Sequence, residues 1–205
     1  MSPPRILRRA RWTNLYHPGT DRVALTATDD GFQLTGSARI RYAEGPRWLK
    51  YAVASDLAWN PRSARIDLRR GKERRLLRIE VSEDLRWEVN GFLRPELRGY
   101  SDVDLAASPS TNTLTLRRLD LPIRGVAEIK TVSITSPDLE VRPVRQRYTR
   151  MSEGHYRYEG LHNGFVAEFD VDELGLVVHF PGFWERAPLA RRRRPAPEKS
   201  SRRRA

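Results

Sequence analysis

Asp102 and Asp104 stand two residues apart in the segment Gly99-Tyr100-Ser101-Asp102-Val103-Asp104-Leu105, shortly before the run Ser108-Pro109-Ser110-Thr111-Asn112-Thr113. On a strand this spacing places both carboxyls on one face, close enough to couple. Three chemistries are open to them: a paired general acid and base, a hard-cation site completed by Asn112, or a turn network that satisfies backbone N–H groups. Two-carboxylate catalysis requires both groups to face a cleft at a defined separation. A calcium loop requires further oxygens at alternating positions, which this segment lacks. The turn network is the preferred reading.

Other chemistries find fewer residues. The four histidines, His17, His155, His162 and His179, never pair at His-x-His or His-x-x-x-His spacing, so no zinc or other metal is expected. There is no cysteine, which removes disulfide scaffolds, thiol catalysis and iron–sulfur clusters together. No Gly-x-Ser-x-Gly elbow offers a nucleophile, and no glycine-rich phosphate cradle offers a nucleotide cofactor a seat, so no cofactor is expected. No run has the aromatic pattern of an RNA-recognition motif.

The elements that must position these residues read as strands. Leu49, Tyr51, Val53, Ser55 and Leu57 alternate with Trp48, Lys50, Ala52, Ala54 and Asp56; Val23 and Leu25, Ile66 and Leu68, Leu77, Ile79 and Val81, and Phe165 to Val171 behave alike. Period two with one wet face is the pattern of antiparallel strands. Asp29-Asp30-Gly31, Glu44-Gly45-Pro46, Asn60-Pro61, Arg70-Gly71, Asn90-Gly91 and Asn163-Gly164 supply the turns between them. About twelve strands over residues 20–181, one per 13 or so residues, predict an all-β sandwich, barrel or roll. A single helical turn near Leu114–Leu119 and a strand fit that segment equally well. The five tryptophans (Trp12, Trp48, Trp59, Trp87, Trp184) either fill a core, the preferred reading, or line an apolar pocket that a large β structure can enclose. Phe183 and Trp184 read as plugging one end of the closing strand.

At 205 residues and 31% charged, the chain has room for a core, and its longest apolar-leaning stretch, Leu174 to Trp184, is too short to span a bilayer. Of the net charge of +12, four positive charges lie in residues 1–11 and seven in residues 187–205, which leaves +1 for residues 12–186. The reading is therefore a basic N-terminal arm (1–11), a folded β domain (12–186) and a disordered Arg-rich tail (187–205) that lacks aromatics and carries three prolines. A near-neutral body does not favour nucleic acid as its partner. The tail is a candidate for weak contact with an anionic surface, although solvated like-charge runs are common. No apolar segment follows the basic N-terminus as in a secretion signal, so a cytoplasmic location is expected.

Several segments together resemble a known group. Asp102-Val103-Asp104-Leu105 with Ser108 to Leu114 and Arg117-Arg118-Leu119, Gln146-Arg147-Tyr148 before Tyr156-Arg157-Tyr158-Glu159, Arg11-Trp12, Tyr51 through Asp56 to Trp59, and Gly175 to Val178 with Pro181-Gly182 and Trp184-Glu185-Arg186 are similar to the signature of a bacterial glycolipid-binding family. The similarity covers about residues 10–186. It implies an all-antiparallel, barrel-like spiral β-roll, distantly akin to lipoprotein carriers of the Lol type, and no established catalytic residue.

The resulting functional expectation is non-enzymatic binding of an amphipathic ligand, a glycolipid or an acyl chain, in an oily hollow left by the curled sheet. Asp102, Asp104, Asn112, Arg117 and Tyr148 are the candidate polar contacts, and Trp59, Trp87 and Trp184 the candidate apolar lining. The alternatives are a small-molecule enzyme using Asp102 and Asp104, or contact with an anionic surface or nucleic acid through the tail.

Overall fold

The structure, a computed structural model, describes residues 3–189. The first eight strands are β1 (Arg5–Asn14), β2 (Gly19–Thr28), β3 (Gly31–Tyr42), β4 (Gly45–Asp56), β5 (Pro61–Arg70), β6 (Glu73–Val81), β7 (Trp87–Val89) and β8 (Phe92–Leu93). A single 3₁₀ turn at Pro95–Leu97 leads to β9 (Asp102–Leu105). A second one at Pro109–Thr111 runs into the helix α1 (Asn112–Leu119). The chain then continues through β10 (Val126–Ile134), β11 (Val141–Ser152), β12 (His155–Gly160), β13 (Phe165–Val171), β14 (Val177–Phe180) and β15 (Trp184–Arg186).

All fifteen strands join one sheet in the order β8-β7-β6-β5-β4-β3-β2-β1-β15-β14-β13-β12-β11-β10-β9. Two meanders run outward from the pair β1–β15, where Trp12 faces Arg186 and Asn14 faces Trp184. The alternation seen in the sequence is the pleat. Leu49, Tyr51, Val53 and Ser55 of β4 are buried, while Trp48 and Lys50 are exposed. Leu57 lies past the strand end and is 65% exposed. The turn Asn90-Gly91, with φ of 52° and 82°, makes the tight hairpin between β7 and β8 that such a pair favours.

Three features differ from the sequence expectation. Arg5 to Arg11, read as part of an arm, belong to β1 and pair with β2 from Arg5 opposite Ala27 onward. Ala10 and Trp12 point inward between outward arginines, and the arginine content masked that alternation. The sheet is not wholly antiparallel, because β9 pairs parallel with β10. That pairing needs a crossover, and residues 106–125 with α1 provide it. Nor is the sheet a closed barrel, since β8 and β9 form its two free edges.

These edges are nevertheless neighbours in sequence. Flat, fourteen strand spacings would span about 70 Å. The connection from Leu93 to Asp102 can reach only about 30 Å. The sheet must therefore curl until its edges approach, and the connection ties them: the Trp87 indole N–H donates to the Tyr100 carbonyl (3.0 Å) and the Ser101 amide to the Lys130 carbonyl (2.9 Å).

The interior of this roll is mostly filled. Leu25, Leu34, Leu49, Val53, Ile66 and Ile79 from the first meander pack with Leu97 from the edge-to-edge connection, Leu105 from β9, and Ala107 and Leu114 from the crossover. A second cluster, with Leu116, Ile129, Tyr148, Tyr156, Phe169 and Val177, lies under the second meander. The expected oily hollow is thus reduced to a pocket beside the crossover.

Candidate functional site

The pocket, of about 150 Å³, opens between the crossover and strands β12 to β15. Its wall is aromatic, formed by Tyr158, Phe165, Phe180, Phe183 and Trp184, and its other side is formed by Asp104, Leu105, Ser108, Pro109 and Asn112. Packing orders the wall: Phe165 meets Phe183 edge to face at 5.4 Å between centroids, Phe180 sits 5.3 Å from Phe183, and Tyr158 5.9 Å from Phe165. Edge-to-face and tilted arrangements at these separations are the favoured geometries for aromatic pairs.

The polar side is held from behind. Asp104 on β9 accepts hydrogen bonds from the Thr111 hydroxyl and the Gln146 side-chain amide, each at 3.3 Å. Burial pushes its carboxyl above the usual carboxylate range, against the lowering effect of those two donors. Asn112, the first residue of α1, accepts from the Tyr148 hydroxyl (2.9 Å) and donates to the Pro109 carbonyl (3.2 Å), so both ends of its amide are fixed. Burial also raises Tyr148 well above the ordinary tyrosine range, which keeps it a neutral donor.

The sequence candidates divide in space. Asp104, Asn112 and Trp184 line the pocket, and Tyr148 stands directly behind Asn112. Asp102 does not share the pocket with Asp104. Both of its oxygens take the Arg118 guanidinium, at 3.0 and 2.5 Å, and Ser101 donates to it at 2.6 Å. The two carboxyls therefore have separate partners, and these are side chains rather than the backbone N–H groups of the expected turn network. Trp87 is fully buried in the core. Trp59, with φ of 67°, stacks on Phe32 at 3.6 Å, and the Arg117 guanidinium lies 5.4 Å above its ring. Trp59, Trp87, Asp102 and Arg117 thus stand outside the pocket. The tail from residue 190 onward lies outside the described residues. Among the described residues no group of histidine, aspartate and glutamate side chains could hold a metal ion, and no helix is long and apolar enough to cross a membrane.

Sequence reasoning missed Tyr158, Phe165 and Phe180 as wall residues. They come from three different strands, and only the curl brings them to one place. Their signal was weak: each is an aromatic on one face of an alternating run, as core residues also are.

A second, wider recess of about 600 Å³ lies on the outer face of the first meander. Ala24, Gly36, Ser37 and Ala52 form its floor and Arg9, Arg22, Lys50 and Arg65 stand around it. Its carboxylate, Asp67, is engaged by Arg74 at 2.7 Å.

An open, single-sheet β-roll wound around its own crossover, with one aromatic-walled pocket beside that crossover, is the class these features define. The chain belongs to the family described as "Putative glycolipid-binding", whose sequence profile matches residues 9–186. It is also similar to a crystal structure of a DUF1089 family protein from Pseudomonas aeruginosa, with 35% identity, a TM-score of 0.74, and coverage of 82% of this chain and 92% of that one. No curated protein matches it.

Proposed function

We propose that the protein binds, without transforming it, an amphipathic ligand whose sugar head group enters the pocket beside the crossover. One observation carries this reading: a single recess sets an aromatic wall against a carboxyl and an amide. A sugar ring presents C–H faces that suit aromatic rings and hydroxyls that suit Asp104 and Asn112, the division of labour usual in small-molecule sites. The family description supports a glycolipid as the ligand class. At about 150 Å³ the pocket is smaller than the roughly 300–1,000 Å³ of sites that enclose a whole drug-sized ligand. It suits a head group, with the hydrocarbon leaving past Phe183.

Calorimetry on the delipidated full-length protein tests this with hexyl glucoside and hexanoate. Glucoside binding is expected, at least tenfold tighter than hexanoate. Asp104→Ala should weaken it at least tenfold, and Phe183→Ala comparably. Equal affinity for both compounds, or binding of neither, overturns the reading.

A further inference from the structure

The tip that joins β1 to β2 stands at the lip between the pocket and the outer face of the sheet. Its Leu15 amide donates to the Phe183 carbonyl at 2.8 Å, and the Tyr16 ring stacks on Phe183 at 5.8 Å, so the tip borders the pocket wall. Yet Leu15 and Tyr16 are 51% and 68% exposed. On the other side, the Arg41 amide donates to the Pro18 carbonyl at 2.9 Å, which sets the tip against β3. The outer row beside it runs Thr20, Arg39, Trp48, with the Arg39 guanidinium 5.5 Å above the Trp48 ring and Trp48 itself 40% exposed.

Cations continue behind this edge. In the next row Arg11 faces Arg22 directly and Arg22 is followed across the sheet by Ser37 and Lys50. Like charges placed opposite one another on a sheet cost stability. None of Arg11, Arg22, Arg39, Arg41 and Lys50 has an ion-pair partner among the described residues. The acids within these rows are engaged by other cations: Asp67, opposite Lys50, takes Arg69 and Arg74, and Glu185, in the row of Arg39, takes His179. Glu44 lies in the turn between β3 and β4, and Glu73 opens β6. The near-neutral charge of residues 12–186 thus leaves Arg22, Arg39, Arg41 and Lys50 without ion-pair partners among the described residues, and the chain after Leu189, at the rim of the outer recess, adds seven arginines and a lysine against one glutamate.

We propose that this edge docks on an anionic lipid bilayer, with Leu15, Tyr16 and Trp48 entering the interface and Arg22, Arg39, Arg41 and Lys50 meeting the head groups. Amphipathic aromatics at the head-group level flanked by basic side chains are what a peripheral contact requires. Exposed leucine and tyrosine at the tip favour a bilayer over a nucleic acid, whose phosphates the arginines alone would satisfy. The proposal rests on the pocket reading only for the significance of the mouth's position; the docking itself needs no pocket ligand.

The absence of cysteine permits a direct test in the full-length chain. An environment-sensitive fluorophore is attached at Tyr16→Cys and, separately, at Glu83→Cys, which lies at the opposite end of the strands. Each is titrated with vesicles of phosphatidylcholine alone or with 30 mol% phosphatidylglycerol. The Tyr16→Cys probe should blue-shift on the anionic vesicles only, and the Glu83→Cys probe should stay silent. Arg39→Glu/Arg41→Glu should weaken partitioning at least tenfold, and the milder Arg39→Gln/Arg41→Gln less, with unchanged far-ultraviolet circular dichroism. A silent tip probe on sedimenting protein assigns docking to the tail and overturns the proposal. Equal response of both probes, or an Arg39→Glu/Arg41→Glu defect for a single-stranded oligonucleotide but not for vesicles, also overturns it. Vesicles without a sugar-headed lipid are used, so failure here leaves the glucoside measurement to judge the pocket separately.

Discussion

Asp21 is the residue whose setting most departs from its chemistry. It is fully buried on β2, where its carboxyl accepts the Ser108 hydroxyl at 2.5 Å and the Tyr51 hydroxyl at 2.9 Å, with Ser110 bonded to both donors. Burial pushes its pKa to about 7, partly opposed by those hydrogen bonds. The folded state then holds a proton that the unfolded chain releases near pH 4, so this contribution to stability is full below pH 4 and fades as pH rises through about 7. Urea denaturation of the native protein should show stability falling from about pH 4 to about pH 7 and levelling above, by about 4 kcal/mol in all and about 3 kcal/mol above pH 5 from this group. His155, raised by its hydrogen bond with Asp170, adds a loss of the same sign. The difference between the native chain and Asp21→Asn isolates Asp21: the variant should have the flatter profile, and an equally steep one would refute the assignment. The network also explains Gly36, where a Cβ would lie 2.2 Å from the Tyr51 ring.

At the scale of elements, the crossover organises both the interior and the site. Its helix showed no apolar stripe in the sequence because Thr113, Leu114, Thr115 and Leu116 are all buried in succession, enclosed on several sides. Amphipathic periodicity reports a helix with one wet face, which α1 lacks. Its C-terminal end is fastened to β9 by the Asp102–Arg118 pair, whose side chains are only 3% and 17% exposed. Removing one partner of a buried pair strands the other charge, so Asp102→Ala should cost about 3–5 kcal/mol in chemical denaturation. Replacing both, as Asp102→Leu/Arg118→Leu, should cost markedly less. If the double variant proves the weaker of the two, the pair contributes by attraction rather than by mutual neutralisation.

At the scale of the whole molecule, the pair β1–β15 unites two meanders that are otherwise separate. Trp12 is its anchor: the side chain is fully buried, its N–H donates to the Val177 carbonyl at 2.8 Å, and Arg186 lies over its ring. Trp12→Ala should lower stability by about 3–5 kcal/mol, the range for large aromatic truncations. Because the two meanders share this seam, the loss should shift one common transition when unfolding is followed by hydrogen exchange in β4 and in β12. Separate transitions would show that the two halves fold independently.

Strands, their inward faces and most turns could be taken from the sequence because period-two alternation and turn residues are local properties. Asp104 and Asn112 were named there too, as unusual types within one distinctive segment, and Tyr148 and Trp184 from separate segments. Alternation, however, names a face without naming its partner. It therefore left undecided which edges meet, whether the roll encloses a void, and whether an arginine-rich start is an arm or a strand. The tertiary structure settled these matters because a short connection between distant sheet edges forces the curl, and the crossover then occupies the space the curl creates. The same curl gathers Tyr158, Phe165 and Phe180 from separate strands into one wall, which no single stretch of chain contains.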